Sequence, residues 1–252
     1  MDEHGVARAE ADLAVAPEDQ ALYAIVSGTM PATIDEVIAT MHNIDAALPD
    51  EDGLKWFNKM YLTVTEEVDL HPPGGAWKDA GWLLTLDVVF AGMYLQAAAG
   101  YLNGEDTVPS SWRALMESRH SPIDRIQFAL AGMNAHINRD LALALLTTDA
   151  QRGVTPATGS PQRQDYDAVN LLLQTVMPSI LMMLATDTLG VLAQDTGKVG
   201  RLLAFWNICK ARNLAWDFAD HLRGLPHVAQ IVAMNSQGQL TGVLGRAILS
   251  FT

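Results

Sequence analysis

Apolar residues recur along most of this chain at helical spacing, and the gaps between the runs carry the Pro, Gly and Ser residues that end helices. Ile34, Val37, Ile38, Met41, Ile44 and Leu48 follow a capping-box pair, Thr33 with Glu36, and stop at Pro49, which predicts a helix over about 33–48. A second helix is predicted from Leu54 to Asp69, with Phe57, Met60, Tyr61, Val64 and Val68 on one face and Lys55, Lys59 and Glu66 opposite. The breaker His71-Pro72-Pro73-Gly74-Gly75 ends it. Further helices are expected at about Lys78–Leu102, Ser111–Arg119, Ile123–Thr148, Asp165–Leu192 with a kink at Pro178, and Lys198–Arg223. Ala150 to Gln164, with Gly153, Pro156, Gly159, Ser160 and Pro161, reads as the one long loop. The tail from Pro226 to Thr252 alternates short apolar stretches with Asn235, Gly238, Gly242 and Gly245, and no element is assigned to it.

No stretch alternates with period two between hairpin turns, and no internal repeat, GxGxxG or phosphate-loop motif occurs. The expected fold class is therefore all-α. It is a single-domain multi-helix bundle of about seven to nine helices around a buried central helix, over residues 31–252, behind an acidic, partly flexible N-terminal segment, 1–30.

Composition narrows the function classes. With 49% hydrophobic and 18% charged residues over 252 positions the chain has the makeup of one globular domain. A net charge of −13 with no Lys/Arg cluster argues against nucleic acid and anionic membranes as partners. Cys209 is the only cysteine, which excludes an intramolecular disulfide and a cysteine-built zinc site and fits a cytoplasmic location. The first 20 residues lack the basic and apolar regions of a signal peptide. The apolar run Gly81–Gly100 approaches membrane-span length, but Asp87 and Gln96 interrupt it, so it reads as a core helix.

Candidate chemistry lies where polar groups interrupt apolar faces. Arg212 falls on a face with Phe205, Ile208, Ala215, Trp216, Ala219 and Leu222, and Asp87 sits in the stretch Leu83-Leu84-Thr85-Leu86-Asp87-Val88-Val89-Phe90, where its turn neighbours are apolar and only Tyr94 adds a hydroxyl to the same face. Each is the natural counter-charge of the other, either as a buried pair fixing helix register or as a pair facing a ligand. The segment Met133 to Asp140 holds the densest polar cluster. On a regular helix Asn134 and Asn138 enter the core with Gln127, Leu130, Leu141 and Leu145, while His136 and Asp140, one turn apart, face the opposite way. A His-x-x-x-Asp pair suits a carboxylate-oriented acid/base or two ligands of a divalent metal, and a plain side-chain pair on a partly exposed face is the alternative. Asp217 and His221 repeat the spacing, and two such motifs facing each other would supply four metal ligands. No Gly-x-Ser-x-Gly elbow occurs, and Met133, Met177, Met182 and Met183 read as core.

The stretch Phe128 to Ala144, FALAGMNAHINRDLALA, resembles the signature of a bacterial, mainly actinobacterial family known as domain of unknown function 5995. Phe57 to Thr65, Leu86 to Ala91 with Tyr94, the Pro109–Trp112 turn, Asp167 with Asn170, Lys210-Ala211-Arg212 with Trp216, and the Gly238–Leu249 tail are similar in kind. The resemblance spans about Lys55 to Leu249 and implies a polar centre of Asp87, Tyr94, Asn134, His136, Asn138, Asp140, Asn170 and Arg212. Asp217 and His221 lie outside it.

These readings together lead to the expectation of a small-molecule enzyme of bacterial secondary metabolism, of cyclase, lyase or hydrolase type, acting on a largely apolar substrate between helices. His136 oriented by Asp140 is the expected acid/base, with Asp87 and Arg212 as the charged catalytic groups. Tyr94, Asn134, Asn138, Asn170 and Trp216 are the expected substrate contacts. No cofactor is expected, a divalent metal being the lesser alternative, and a homodimer is compatible with the sequence. A non-catalytic binder of an apolar ligand and a structural or partner-binding helical domain are the competing readings.

Overall fold

The computed structural model describes residues 15–185 and 207–250, and every regular element among them is helical. After a 3-10 turn at Pro17–Asp19 come α1 (Gln20–Val26), α2 (Ile34–Ala47), α3 (Gly53–Leu70), α4 (Ala80–Leu102) and α5 (Ser110–Ser118). A continuous rod follows, made of α6 (Arg125–Ala135), a π turn (His136–Asp140) and α7 (Leu141–Arg152). The chain ends in α8 (Pro161–Ala185), α9 (Ile208–Arg223) and α10 (His227–Leu249). With the rod counted once, nine helices among the described residues form the all-α bundle that the periodicity predicts.

Side-chain caps fix the helix starts. Thr33 Oγ1 accepts the Glu36 amide at 3.3 Å while Glu36 Oε2 reaches back to the Ala32 amide at 2.7 Å, so α2 begins where the capping-box pattern places it. Asp52, Asp79 and Asn207 cap α3, α4 and α9 in the same way, accepting from Leu54, Trp82 and Lys210 amides at 2.9–3.0 Å.

The central helix is α6, in which every side chain from Ile126 to Ala135 is buried. Its closest neighbour is α3, and the two interlock through reciprocal glycine and phenylalanine contacts. A Cβ on Gly132 would overlap the Phe57 ring, and one on Gly53 would overlap the Phe128 ring. Against the opposite side of α6 lies α10. A Cβ at Gly242 would come within 2.6 Å of Ser110 Oγ, and one at Gly245 within 3.2 Å of the Ala114 methyl, so these glycines let α10 sit directly on α5.

Several expectations need correction. The 226–252 tail contains one 23-residue helix, and the glycines that obscured its period are its packing face. The expected loop at 150–164 shrinks to 153–160, because α7 runs on to Arg152, Gly153 closes it in the left-handed conformation (φ 65°), and α8 starts at Pro161. At the N-terminus the body reaches further back than residue 31, since α1 buries Leu22 and Val26. Pro178 does lie inside α8. The stretches expected to be helical at 186–192 and 198–206, with Phe205, and the acidic residues before 15 lie outside the described residues.

Among the described residues two helices, α4 and α8, are long and apolar enough to cross a bilayer by length and composition. Half of the most apolar window of α4 is buried inside the bundle, where Trp82, Leu86, Phe90 and Tyr94 pack into the core.

Candidate functional site

A π turn lies in the middle of the site. The Leu141 amide donates to the carbonyl of His136, five residues back, which widens the rod by one residue in the middle of the polar cluster. A regular helix would send His136 and Asp140 to the face opposite Asn134 and Asn138. Because the rod is enclosed on every face where α6 meets the π turn, His136 and Asp140 are both fully buried, so the partly exposed pair that the spacing allowed does not occur.

His136 lies in an aromatic enclosure. Its ring stacks on Phe90 with centroids 3.4 Å apart and planes 5° from parallel, and Tyr61 (4.6 Å), Phe57 (5.8 Å) and Trp112 (5.8 Å) meet it edge-on. Nδ1 is 3.4 Å from Asp140 Oδ2, a long hydrogen bond that places the ring proton on Nδ1. Nε2 is buried and has no hydrogen-bond partner among the described residues. Burial holds the His136 pKa below that of a free imidazole and outweighs the upward pull of Asp140, so the ring is neutral. Asp140 is itself well bound. It accepts from Trp112 Nε1 at 2.7 Å and from Arg139 Nη1 at 2.6 Å, the latter ion pair balancing its charge.

His136 borders a cavity among α3, α4, α8, α9 and the rod, with about 50 Å³ open to the centre of a water molecule. That is room for a few waters or the head of a small ligand. Asp87 and Arg212 border the same cavity, as do Tyr61 and Thr65, and Val64, Val68 and Leu173 supply apolar wall. Asp87 has no hydrogen bond or ion pair among the described residues, and burial among apolar side chains raises its pKa to about 7, against a downward pull from Arg212 and an upward one from Asp69. Burial also pushes the Tyr61 phenol well above its ordinary pKa, so it remains protonated.

Arg212 is buried without a carboxylate partner. Its Nε donates to Asn170 Oδ1 at 2.7 Å, its guanidinium lies 4.2 Å from the centre of the Tyr166 ring, and Asn170 is held in turn through Nδ2 to Asn213 Oδ1 at 3.1 Å. Arg212 and Asp87 thus share a cavity without forming the expected salt bridge, because a neutral amide and a ring satisfy part of the guanidinium and the cavity occupies the space between. Neither terminal nitrogen of Arg212 has an acceptor among the described residues.

The remaining expected contacts fall elsewhere. Asn134 Nδ2 donates to the Thr241 carbonyl at 2.8 Å and Asn134 Oδ1 accepts from Asn138 Nδ2 at 2.9 Å, while Gln237 Nε2 donates to the Asn138 carbonyl at 2.7 Å. With Gln127, whose Nε2 donates to the Ile248 carbonyl at 2.6 Å, they form a polar seam that fastens α10 to the rod. Tyr94 supports the site from behind, its hydroxyl donating to Asn58 Oδ1 at 3.4 Å and its ring stacked on Trp112. Trp216 packs against Tyr166, 4.8 Å between centroids, outside the cavity wall. Asp217 and His221 are exposed and do not approach the buried His136 and Asp140. Among the described residues no group of three or more His, Cys, Asp or Glu side chains converges as a metal site requires. Tyr61, Phe90 and Trp112 were missed as site residues, although Phe57 and Tyr61, four apart, already mark an aromatic helix face.

A family model described as a family of unknown function (DUF5995) matches residues 34–251, which takes in every cavity-lining residue named above. Among curated proteins and solved structures nothing matches the chain.

Proposed function

We propose that this chain, which belongs to the DUF5995 family, is a cofactor-independent acid–base enzyme acting on a small, largely apolar molecule whose reacting end enters the cavity beside His136. The observation that carries this reading is the convergence on one cavity of His136, whose Nε2 is buried without a partner among the described residues, with the Asp87 carboxyl and the Arg212 guanidinium, which do not pair with each other.

The chemistry follows from the charge states. Neutral His136, its Nδ1 proton held by Asp140, offers Nε2 as a proton acceptor. Asp87, with its pKa near 7, holds a proton it can donate at neutral pH. Arg212 stabilises negative charge developing on a substrate oxygen. A neutral base and a protonated acid across one small cavity suit a proton-transfer step in a cyclase, a lyase or a hydrolase.

The test is turnover. Purified protein is incubated with a small-molecule extract and consumption is followed by mass spectrometry, with His136→Gln and Asp87→Asn compared at equal helical content by circular dichroism. The expected result is conversion by the wild type and loss of at least a hundredfold in rate in both variants. Equal turnover in the variants sinks the assignment. Binding without turnover in the wild type favours the second reading, a non-catalytic ligand-binding protein, which the small cavity volume supports.

A further inference from the structure

We infer that the cavity recognises a singly charged carboxylate, held by the outer nitrogens of Arg212 and extended by a short apolar chain along Val64, Val68 and Leu173. The inference deepens the proposal above and rests on the cavity being a small-molecule site.

Arg212 is the basis. The residue is 7% exposed, and its one side-chain hydrogen bond, Nε to Asn170, leaves the two outer nitrogens of the fork without an acceptor among the described residues. Stacking on Tyr166 and the Asn170–Asn213 amide pair set the plane of the guanidinium, so the fork is pre-organised. A planar fork of two parallel N–H groups matches a carboxylate in the bidentate manner, and a buried cation without a carboxylate is a costly placement that an anionic guest relieves.

Charge decides between a monoanion and a dianion. The charged and titratable groups around the cavity are Tyr61 and Asp69 from α3, Asp87 from α4, His136 with Asp140 from the π turn, Tyr166 from α8 and Arg212 from α9. Asp140 is balanced by Arg139, Asp69 is exposed so that solvent screens its charge, and His136 and the phenols are neutral. What remains is one positive charge from Arg212 against Asp87, which is neutral when it keeps its proton. One carboxylate neutralises that cavity, and a phosphate dianion would leave a negative charge in it. Carboxylate binding therefore favours protonated Asp87, so the affinity should fall as pH rises past 7.

Butyrate, butan-1-ol and butylammonium serve as probes of equal chain length, titrated calorimetrically into the full chain at pH 6.5 and 8.5. Butyrate is expected to bind at least tenfold more tightly than either of the others at pH 6.5, and to lose at least tenfold in affinity at pH 8.5. Arg212→Gln should remove the preference for butyrate over butan-1-ol. Asp87→Asn, which keeps Arg212 in place, should bind butyrate equally at both pH values. Butan-1-ol binding as well as butyrate, or butylammonium binding better, overturns the carboxylate and leaves the small-molecule cavity standing. Binding of none of the three overturns both.

Discussion

Replacing Asp87 with asparagine preserves side-chain volume and polarity while removing the one carboxyl that burial has driven far from its ordinary pKa. That carboxyl moves from 3.8 to about 7 on folding, a displacement of roughly three pH units worth about 1.4 kcal/mol each, or about 4 kcal/mol in all. The sign follows from proton counting. Between the two values the folded chain keeps a proton that the unfolded chain has lost, so each rise in pH through this window favours unfolding. The penalty is absent below about pH 4, grows at about 1.4 kcal/mol per unit, and is complete above about pH 7. Asp87→Asn escapes it, whereas all other titrating groups are common to both proteins and cancel. Denaturant unfolding followed by circular dichroism at unit steps from pH 4 to 8 should therefore find the variant near wild type at pH 4 and about 4 kcal/mol more stable at pH 8. A stability difference that stays flat across the range, or a variant weaker than wild type at pH 8, refutes the placement of Asp87 as a half-buried carboxyl among apolar side chains without an ion-pair partner.

Two further predictions separate the framework from the site. Gly132→Ala drives a methyl into the Phe57 ring and should cost about 1–3 kcal/mol of unfolding free energy in the same denaturant assay; an unchanged midpoint would mean that α3 and α6 are not locked as described. Asn134→Ala breaks the bonds to the Thr241 carbonyl and to Asn138 and should cost about 1–3 kcal/mol, with butyrate affinity at pH 6.5 unchanged; a lost affinity would return Asn134 to the site.

Much of this architecture is legible in the sequence because local chemistry enforces it. Thr33 with Glu36 marks the start of α2, the His71–Gly75 breaker ends α3, and the apolar α4 run is a core helix, each read from spacing alone. Asp87 and Arg212 are also recognised as inward-facing, since a charge within an apolar face has nowhere else to go. Their separation is not legible. Periodicity reports which way a side chain faces and says nothing of whether Asn170 and Tyr166, from another helix, will satisfy the cation first. The π turn is hidden for a related reason. One extra residue per turn shifts the phase of everything after it, and the shift is imposed by packing around His136, Trp112 and Asp140 that no local pattern encodes. In α10 the glycines lower helix propensity, and only contact with Ser110 and Ala114 shows why they are there.

The central claim is that a neutral imidazole with a free Nε2 borders the cavity that holds a protonated Asp87. Nitrogen-15 NMR of histidine-labelled protein, titrated from pH 8 to 5 with His136 assigned through His136→Gln, reads it directly. The account predicts a ring protonated at Nδ1 alone that gains its second proton at lower pH than a free imidazole does. A ring that carries its proton on Nε2, or that gains its second proton near pH 6.5, contradicts it.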